Sequence, residues 1–100
     1  MGKIDIDDNG ELWLSGELTF ATTPHLHKLG CHLIMARALT VFNLKNVTVS
    51  DNSGTALLAA WTRYAKILKK QVKFTHLPAQ LLAMLRLTSL QKLLPIENPS

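Results

Sequence analysis

The chain has 100 residues, of which 47% are hydrophobic, which is enough for one domain with a single core. Its only cysteine, Cys31, excludes an internal disulfide, and no apolar run approaches the roughly 18 residues that a membrane-spanning helix needs. The net charge of +4 is modest and the aromatic residues fall at strand-like or core-facing positions, which argues against a nucleic-acid-binding domain.

The first two elements are predicted to be strands. Residues 3–7 and 11–18 alternate apolar and polar side chains with a period of two, which is typical of half-buried strands. Between them, the pair Asn9-Gly10 tolerates the positive φ values of a tight hairpin turn. We therefore expect these two strands to pair antiparallel.

A helix and a buried strand are expected next. Thr23 fits the N-cap of this helix and Pro24 its first position, although Gly30 weakens it by about 1 kcal/mol relative to alanine. Residues 39–44 form an apolar run that is typical of a strand buried on both faces in a parallel sheet. Asn43 is the polar exception in that run.

The longest amphipathic pattern follows residues 49–55, which we call the junction. There a β-branched run meets small polar residues, and Asp51, Asn52 and Ser53 all suit the N-cap of a helix. The pattern predicts a helix from the junction to about residue 70, with its apolar stripe against the core. We expect the junction itself to face solvent.

The last third of the chain adds three elements. Residues 71–77 alternate as a strand, Pro78 opens a leucine-rich helix over 79–87, and residues 90–94 make one more helical turn. The order β, β, α, β, α, β, α predicts an α/β fold. Its sheet would have four strands, mostly parallel with one antiparallel edge strand, and would pack with about four helices.

The chain is expected to form one domain over residues 1–100. Its ordered core would cover about residues 3–95, because the pattern of strands and helices ends there. Residues 96–100 have no such pattern and are expected to form a tail.

Three features of this sequence together resemble a known family. They are Leu-Ser-Gly-Glu-Leu in the strand at 14–18, Asp-x-Ser-Gly at 51–54 between strand and helix, and the strand at 72–77. With the element order, they resemble the STAS domain, the SpoIIAA-like fold of bacterial anti-sigma factor antagonists. The resemblance covers about residues 4–95, and many STAS domains carry an aspartate where this chain has Asn43.

Within the family, the likeness is to the small, MlaB-like STAS subunit of Mla-type ABC transporters, which move phospholipids between the membranes of Gram-negative bacteria. It rests on residues 12–18, on 51–70 and on the ending at 90–95. The resemblance implies a non-enzymatic subunit that binds the transporter's ATPase. The side chains expected to contact this partner are Asn52, Ser53, Thr55 and Thr62. Those expected to serve the turn and cap are Asp51 and Gly54.

The junction leaves an alternative open. In anti-sigma factor antagonists the serine directly before the glycine is phosphorylated by a partner kinase, and Ser53 occupies that position. A phosphoryl group would bring about −1.5 to −2 charges next to Asp51, which would disrupt an interface without disturbing the fold. The partner would then be an anti-sigma factor kinase. A third interpretation is a helix cap with no further role.

The remaining residues favour no catalytic, metal or cofactor site. The histidines and Cys31 do not supply the four well-placed ligands of a closed zinc site. Neither a nucleophile elbow nor a glycine-rich phosphate loop accompanies Ser53, so we expect no hydrolase and no nucleotide site.

A run of basic residues covers the end of the long predicted helix. It consists of Arg63, Lys66, Lys69, Lys70 and Lys73. Its two interpretations are a solvated helix end, with cations placed well for the helix dipole, and a surface that attracts anionic lipid or an acidic partner. Because the N-terminus lacks the apolar core of a signal peptide, we expect a cytoplasmic protein. It would reach the inner membrane through a transporter complex, without inserting directly.

Overall fold

A mixed sheet is the centre of the fold. The computed structural model describes residues 2–97 and contains five strands in the order β1-β2-β3-β4-β5. The antiparallel pair is β1 (Lys3–Ile6) and β2 (Leu12–Leu18). The parallel extension is β3 (Leu39–Ser50), β4 (Gln71–Thr75) and β5 (Ile96–Glu97). The predicted α/β fold with one antiparallel edge strand is therefore confirmed.

Three helices connect the strands, namely α1 (Thr23–Ala36), α2 (Asn52–Ile67) and α3 (Ala79–Leu87). The cap of α1 is Thr22 rather than Thr23, and its hydroxyl donates to the Glu17 carbonyl at 2.7 Å. The expected fourth helix is only the 3-10 turn Leu90–Lys92. No helix within residues 2–97 combines the length and the apolar character needed to cross a membrane.

The fifth strand corrects the prediction of a four-stranded sheet and of a tail after residue 95. Phe74 N–H donates to the Pro95 carbonyl at 3.0 Å, and Ile96 and Glu97 then pair with Phe74 and Thr75. The backbone of β4 supplies these bonds, so a two-residue strand forms without a hydrophobic pattern of its own. Residues 98–100 of the predicted tail lie outside the described residues.

Trp61 anchors the core that the helices form on one face of the sheet. It is fully buried on α2, and its ring stacks on Phe42 of β3 with centroids 4.2 Å apart. The indole N–H donates to the His27 carbonyl of α1 at 3.2 Å. A Cβ at Gly30 would overlap this ring, so the glycine that weakens α1 is what allows α1 to approach Trp61. Trp61 thus belongs to the apolar stripe of α2 that packs against the core.

The opposite face of the sheet carries polar side chains. Asn43 is only 2% exposed, and its amide donates to the Glu11 carboxylate at 2.6 Å and accepts from Lys45 N–H at 2.9 Å. The half-buried Trp13 donates its indole N–H to Asp7 at 2.8 Å, and this bond lowers the pKa of the Asp7 carboxyl. An amide at position 43 suits Glu11, because an aspartate there would place two carboxylates together.

Candidate functional site

Asp51 forms the turn that joins β3 to α2. β3 ends at Ser50, Asp51 has extended backbone angles, and α2 begins at Asn52. The Asp51 carboxylate accepts the Ser53 N–H at 2.7 Å, which is the capping bond that the sequence predicts. The start of α2 is therefore fixed by a side chain at the junction.

The same carboxylate also holds the loop between β2 and α1. Its second oxygen accepts the Phe20 N–H at 3.3 Å, while the Asp51 N–H donates to the Leu18 carbonyl at 3.1 Å. The Phe20 side chain lies outside this contact and is 80% exposed. Asp51 thus ties the backbone of the loop that carries Phe20 to the start of α2, a role wider than that of a cap.

Gly54 allows α2 to pack closely against the sheet. Its backbone is helical, and a Cβ there would overlap the Ser50 hydroxyl and lie 3.3 Å from Leu18 Cβ. The residue is buried in the first turn of α2. Gly54 N–H also donates to the Asp51 carbonyl at 2.9 Å, so the glycine belongs to the turn and in addition allows close packing.

The side chains expected to contact a partner do not form one surface. Asn52 is exposed, and the half-exposed Ser53 has a hydroxyl without a hydrogen-bond partner within residues 2–97. Thr55 is only 6% exposed and donates to the Asn52 carbonyl at 2.8 Å, so the expectation that it contacts a partner is wrong. Thr62 follows Ser53 by nine residues, about two and a half turns, and so lies on the other side of α2.

Ser53 borders a groove between α1 and α2, which we call the junction groove. It has a volume of about 330 Å³ and is lined mainly by Pro24, His27, Ser53, Ala56 and Ala60. Because Ala56 and Ala60 have small side chains, they leave space between α1 and α2. The groove therefore combines a small apolar floor with the hydroxyls of Thr23 and Ser53, and Phe20 lies in the loop that leads into its α1 wall.

No three histidine, cysteine or acidic side chains within residues 2–97 come close enough to hold a metal ion. His27 and Cys31, one helical turn apart, bring Nε2 and Sγ within 3.6 Å. Partial burial raises the pKa of the Cys31 thiol, which keeps it protonated rather than nucleophilic. Of the two, only His27 lines the junction groove, as part of its α1 wall.

The family of this protein is shown by a family model that matches nearly the whole chain. A family model described as the MlaB STAS domain matches residues 3–95. The chain belongs to the STAS family. Curated protein sequences give no match to it.

Solved structures of other STAS domains share its fold. An anti-sigma factor antagonist from Mycobacterium paratuberculosis is 20% identical with a TM-score of 0.80, over 100% of this chain and 86% of that one. The anti-sigma factor antagonist SpoIIAA in its unphosphorylated form is 12% identical with a TM-score of 0.76, over 100% and 89%. The Bacillus SpoIIAA in its phosphorylated form is 12% identical with a TM-score of 0.72, over 100% and 92%.

The sequence of this STAS domain predicts the junction but does not mark Phe20, in the loop beside it, as a site residue. Phe20 stands in the turn after β2, where side chains follow no period, and it contacts the junction only through Asp51. A large apolar residue in a turn otherwise made of threonines and an alanine was the available signal. The junction groove itself depends on how α1 and α2 pack, which no local pattern contains.

Proposed function

We propose that this STAS domain is a non-enzymatic interaction subunit that binds the ATPase of a phospholipid-transporting ABC complex. The observation that carries the proposal is the junction groove, together with the exposed Phe20 side chain in the loop that Asp51 holds. The MlaB-type family model supports the choice of partner. On this proposal the protein is cytoplasmic and reaches the inner membrane through the complex.

The junction offers the elements of a protein interface. The Phe20 side chain is 80% exposed, and aromatic residues of this kind are enriched at the cores of protein interfaces. Asn52 and the Ser53 hydroxyl supply polar contacts at its edge. The first turn of α2 also carries the partial positive charge of a helix N-terminus, which would favour an acidic or carbonyl group of the partner.

Co-expression with a candidate ABC ATPase tests this proposal. We expect the two proteins to co-purify, and we expect Asn52→Arg and Ser53→Glu to abolish the complex by adding bulk or charge at the groove. Gln80→Glu, which adds the same single negative charge as Ser53→Glu at an exposed position of α3, is the matched charge control and should leave the complex intact. Failure to co-purify, or binding that tolerates both junction variants, would overturn the proposal.

A second function has one specific observation in its favour. The Ser53 hydroxyl is half-exposed and makes no hydrogen bond to any residue in the described part of the chain, so a kinase can reach it. A phosphoryl group on it would lie beside the Asp51 carboxylate, and the repulsion would weaken an interface at the junction. The protein would then act as an anti-sigma factor antagonist that binds while Ser53 is unmodified.

Mass spectrometry distinguishes this alternative. Incubation with the cognate anti-sigma factor kinase and ATP should add one phosphoryl group at Ser53, and Ser53→Ala should abolish the addition. An unchanged mass, or modification at another residue, would exclude this second function while leaving the transporter proposal standing.

A further inference from the structure

A second concave surface lies at the other end of α2. It has a volume of about 590 Å³, and its rim carries four lysines that the fold brings together from separate elements. We call it the lysine cleft, and the four residues are Lys66, Lys70, Lys73 and Lys92. Three of them belong to the basic run in the sequence, but Lys92 joins them only because the 3-10 turn packs beside α2.

The positive charge of the lysine cleft is largely uncompensated. Lys73 contacts the Glu97 carboxylate at 3.2 Å, a pair on the exposed edge of the sheet. Lys66, Lys70 and Lys92 have no such carboxylate anywhere in residues 2–97. Ammonium groups collected around one hollow raise its potential and favour an anionic ligand, more strongly at low ionic strength.

The floor of the lysine cleft includes the open edge of β4. Gln71 N–H donates towards β3, to the Ala38 carbonyl at 3.0 Å, whereas Phe74 N–H donates towards β5, to the Pro95 carbonyl. Successive N–H groups of a strand point to opposite sides, so Val72 N–H points the same way as that of Phe74. Within residues 2–97, β5 pairs only with Phe74 and Thr75, so the backbone of Val72, a residue 6% exposed at the cleft, has no hydrogen-bond partner on that side.

Between the lysines the walls of the cleft are mainly apolar, with Thr62 and Gln71 as the polar exceptions. Ala65, Leu94 and Pro95 line it, and Leu93 is 73% exposed at its margin. A neighbouring hollow of about 260 Å³ shares Lys66 and Leu94 and continues along α2 past Arg63. A suitable ligand therefore combines negative charge with apolar groups and has an extended shape.

We propose that the lysine cleft binds an extended acidic segment of a partner protein, which adds a short strand to the open start of β4. Its carboxylates would meet the lysines, its apolar side chains would cover Leu93 and Leu94, and its backbone would bond to Val72. An anionic membrane surface fits less well, because lipid head groups do not use a strand edge inside a hollow. The cleft lies about 20 Å along α2 from Ser53, so both sites can be occupied together.

Fluorescence anisotropy with labelled peptides tests this inference. The probe is a peptide about six residues long, the length of an ordinary strand, that alternates glutamate and valine. Two comparison peptides are used. In the first, lysine replaces glutamate; in the second, the sequence is unchanged but alternate backbone nitrogens are methylated. We expect only the unmodified glutamate peptide to bind, with an affinity that falls as salt is added.

Matched variants decide where the peptide binds. Lys66→Gln with Lys92→Gln should weaken binding about tenfold, whereas Lys28→Gln with Lys45→Gln, the same loss of charge at exposed positions elsewhere, should change it little. The inference is wrong if no peptide binds, if both pairs of variants have equal effects, or if the methylated peptide binds equally well. It is also wrong if only phosphatidylglycerol vesicles bind through these lysines. None of these results bears on the junction groove.

Discussion

Replacing Gly30 by alanine separates helix propensity from packing. In an isolated helix the change would stabilise α1 by about 1 kcal/mol. In the fold, the new methyl group would overlap the Trp61 ring, which is fully buried, stacked 4.2 Å from Phe42 and bonded to the His27 carbonyl. Overpacking of this kind costs about 1–3 kcal/mol, and a lost hydrogen bond adds about 1 kcal/mol. We therefore expect a net loss of about 1–3 kcal/mol in the free energy of unfolding.

Urea denaturation followed by circular dichroism measures this loss. Thermal denaturation gives a second measurement, because for a domain of 100 residues each kcal/mol lost should lower the Tm by about 4–8 °C. His32→Ala, at an exposed position of the same helix, is the control and should be neutral or slightly stabilising. Adding Trp61→Phe to Gly30→Ala should cost less than the sum of the two single changes, because the smaller ring makes room for the methyl group. A Gly30→Ala protein as stable as the wild type would refute the reasoning.

Individual hydrogen bonds can be tested in the same way. Asp51→Ala removes the cap of α2 and should cost about 1–2 kcal/mol in urea denaturation; no loss would contradict the capping role. Asn43→Asp should destabilise the protein by about 1–3 kcal/mol near neutral pH, because its carboxylate would face Glu11, and stability should recover in acid as the pair gains a proton. The pKa of Asp7 is lower in the folded protein than its ordinary value of 3.8, so the Trp13–Asp7 hydrogen bond stabilises the fold fully above pH 3.8. This stabilisation is lost as the pH falls through the lower pKa of the folded state. Trp13 fluorescence should follow that loss, and Asp7→Asn should abolish the step.

Local chemistry in the sequence predicts the order of most elements. The alternation in β1, β2 and β4 gives the strands, and the side chain of Asp51 gives the start of α2. What it does not predict depends on contacts between distant segments. β5 forms on the backbone of β4, and Gly30 is explained only by a ring from another helix.

The side chains of the candidate site also depend on contacts that the local sequence does not predict. Thr55 looks like a surface residue because it is polar, but its hydroxyl is satisfied by a carbonyl of its own helix, so the residue can be buried. Phe20 lies in a turn where no periodicity marks it, and only the bond to Asp51 relates it to the junction. The sequence therefore indicates where the site is, and the packing of α1 on α2 determines which side chains it presents.

Hydrogen exchange of the protein with and without the purified ABC ATPase tests the central claim most directly. Binding at the junction groove should slow exchange over residues 19–27 and 51–60, which contain Phe20, the first turns of α1 and the start of α2. Exchange over residues 79–92, on α3 and the 3-10 turn, should change little. Protection confined to residues outside the two junction segments, or no protection at all, would contradict the proposed interface.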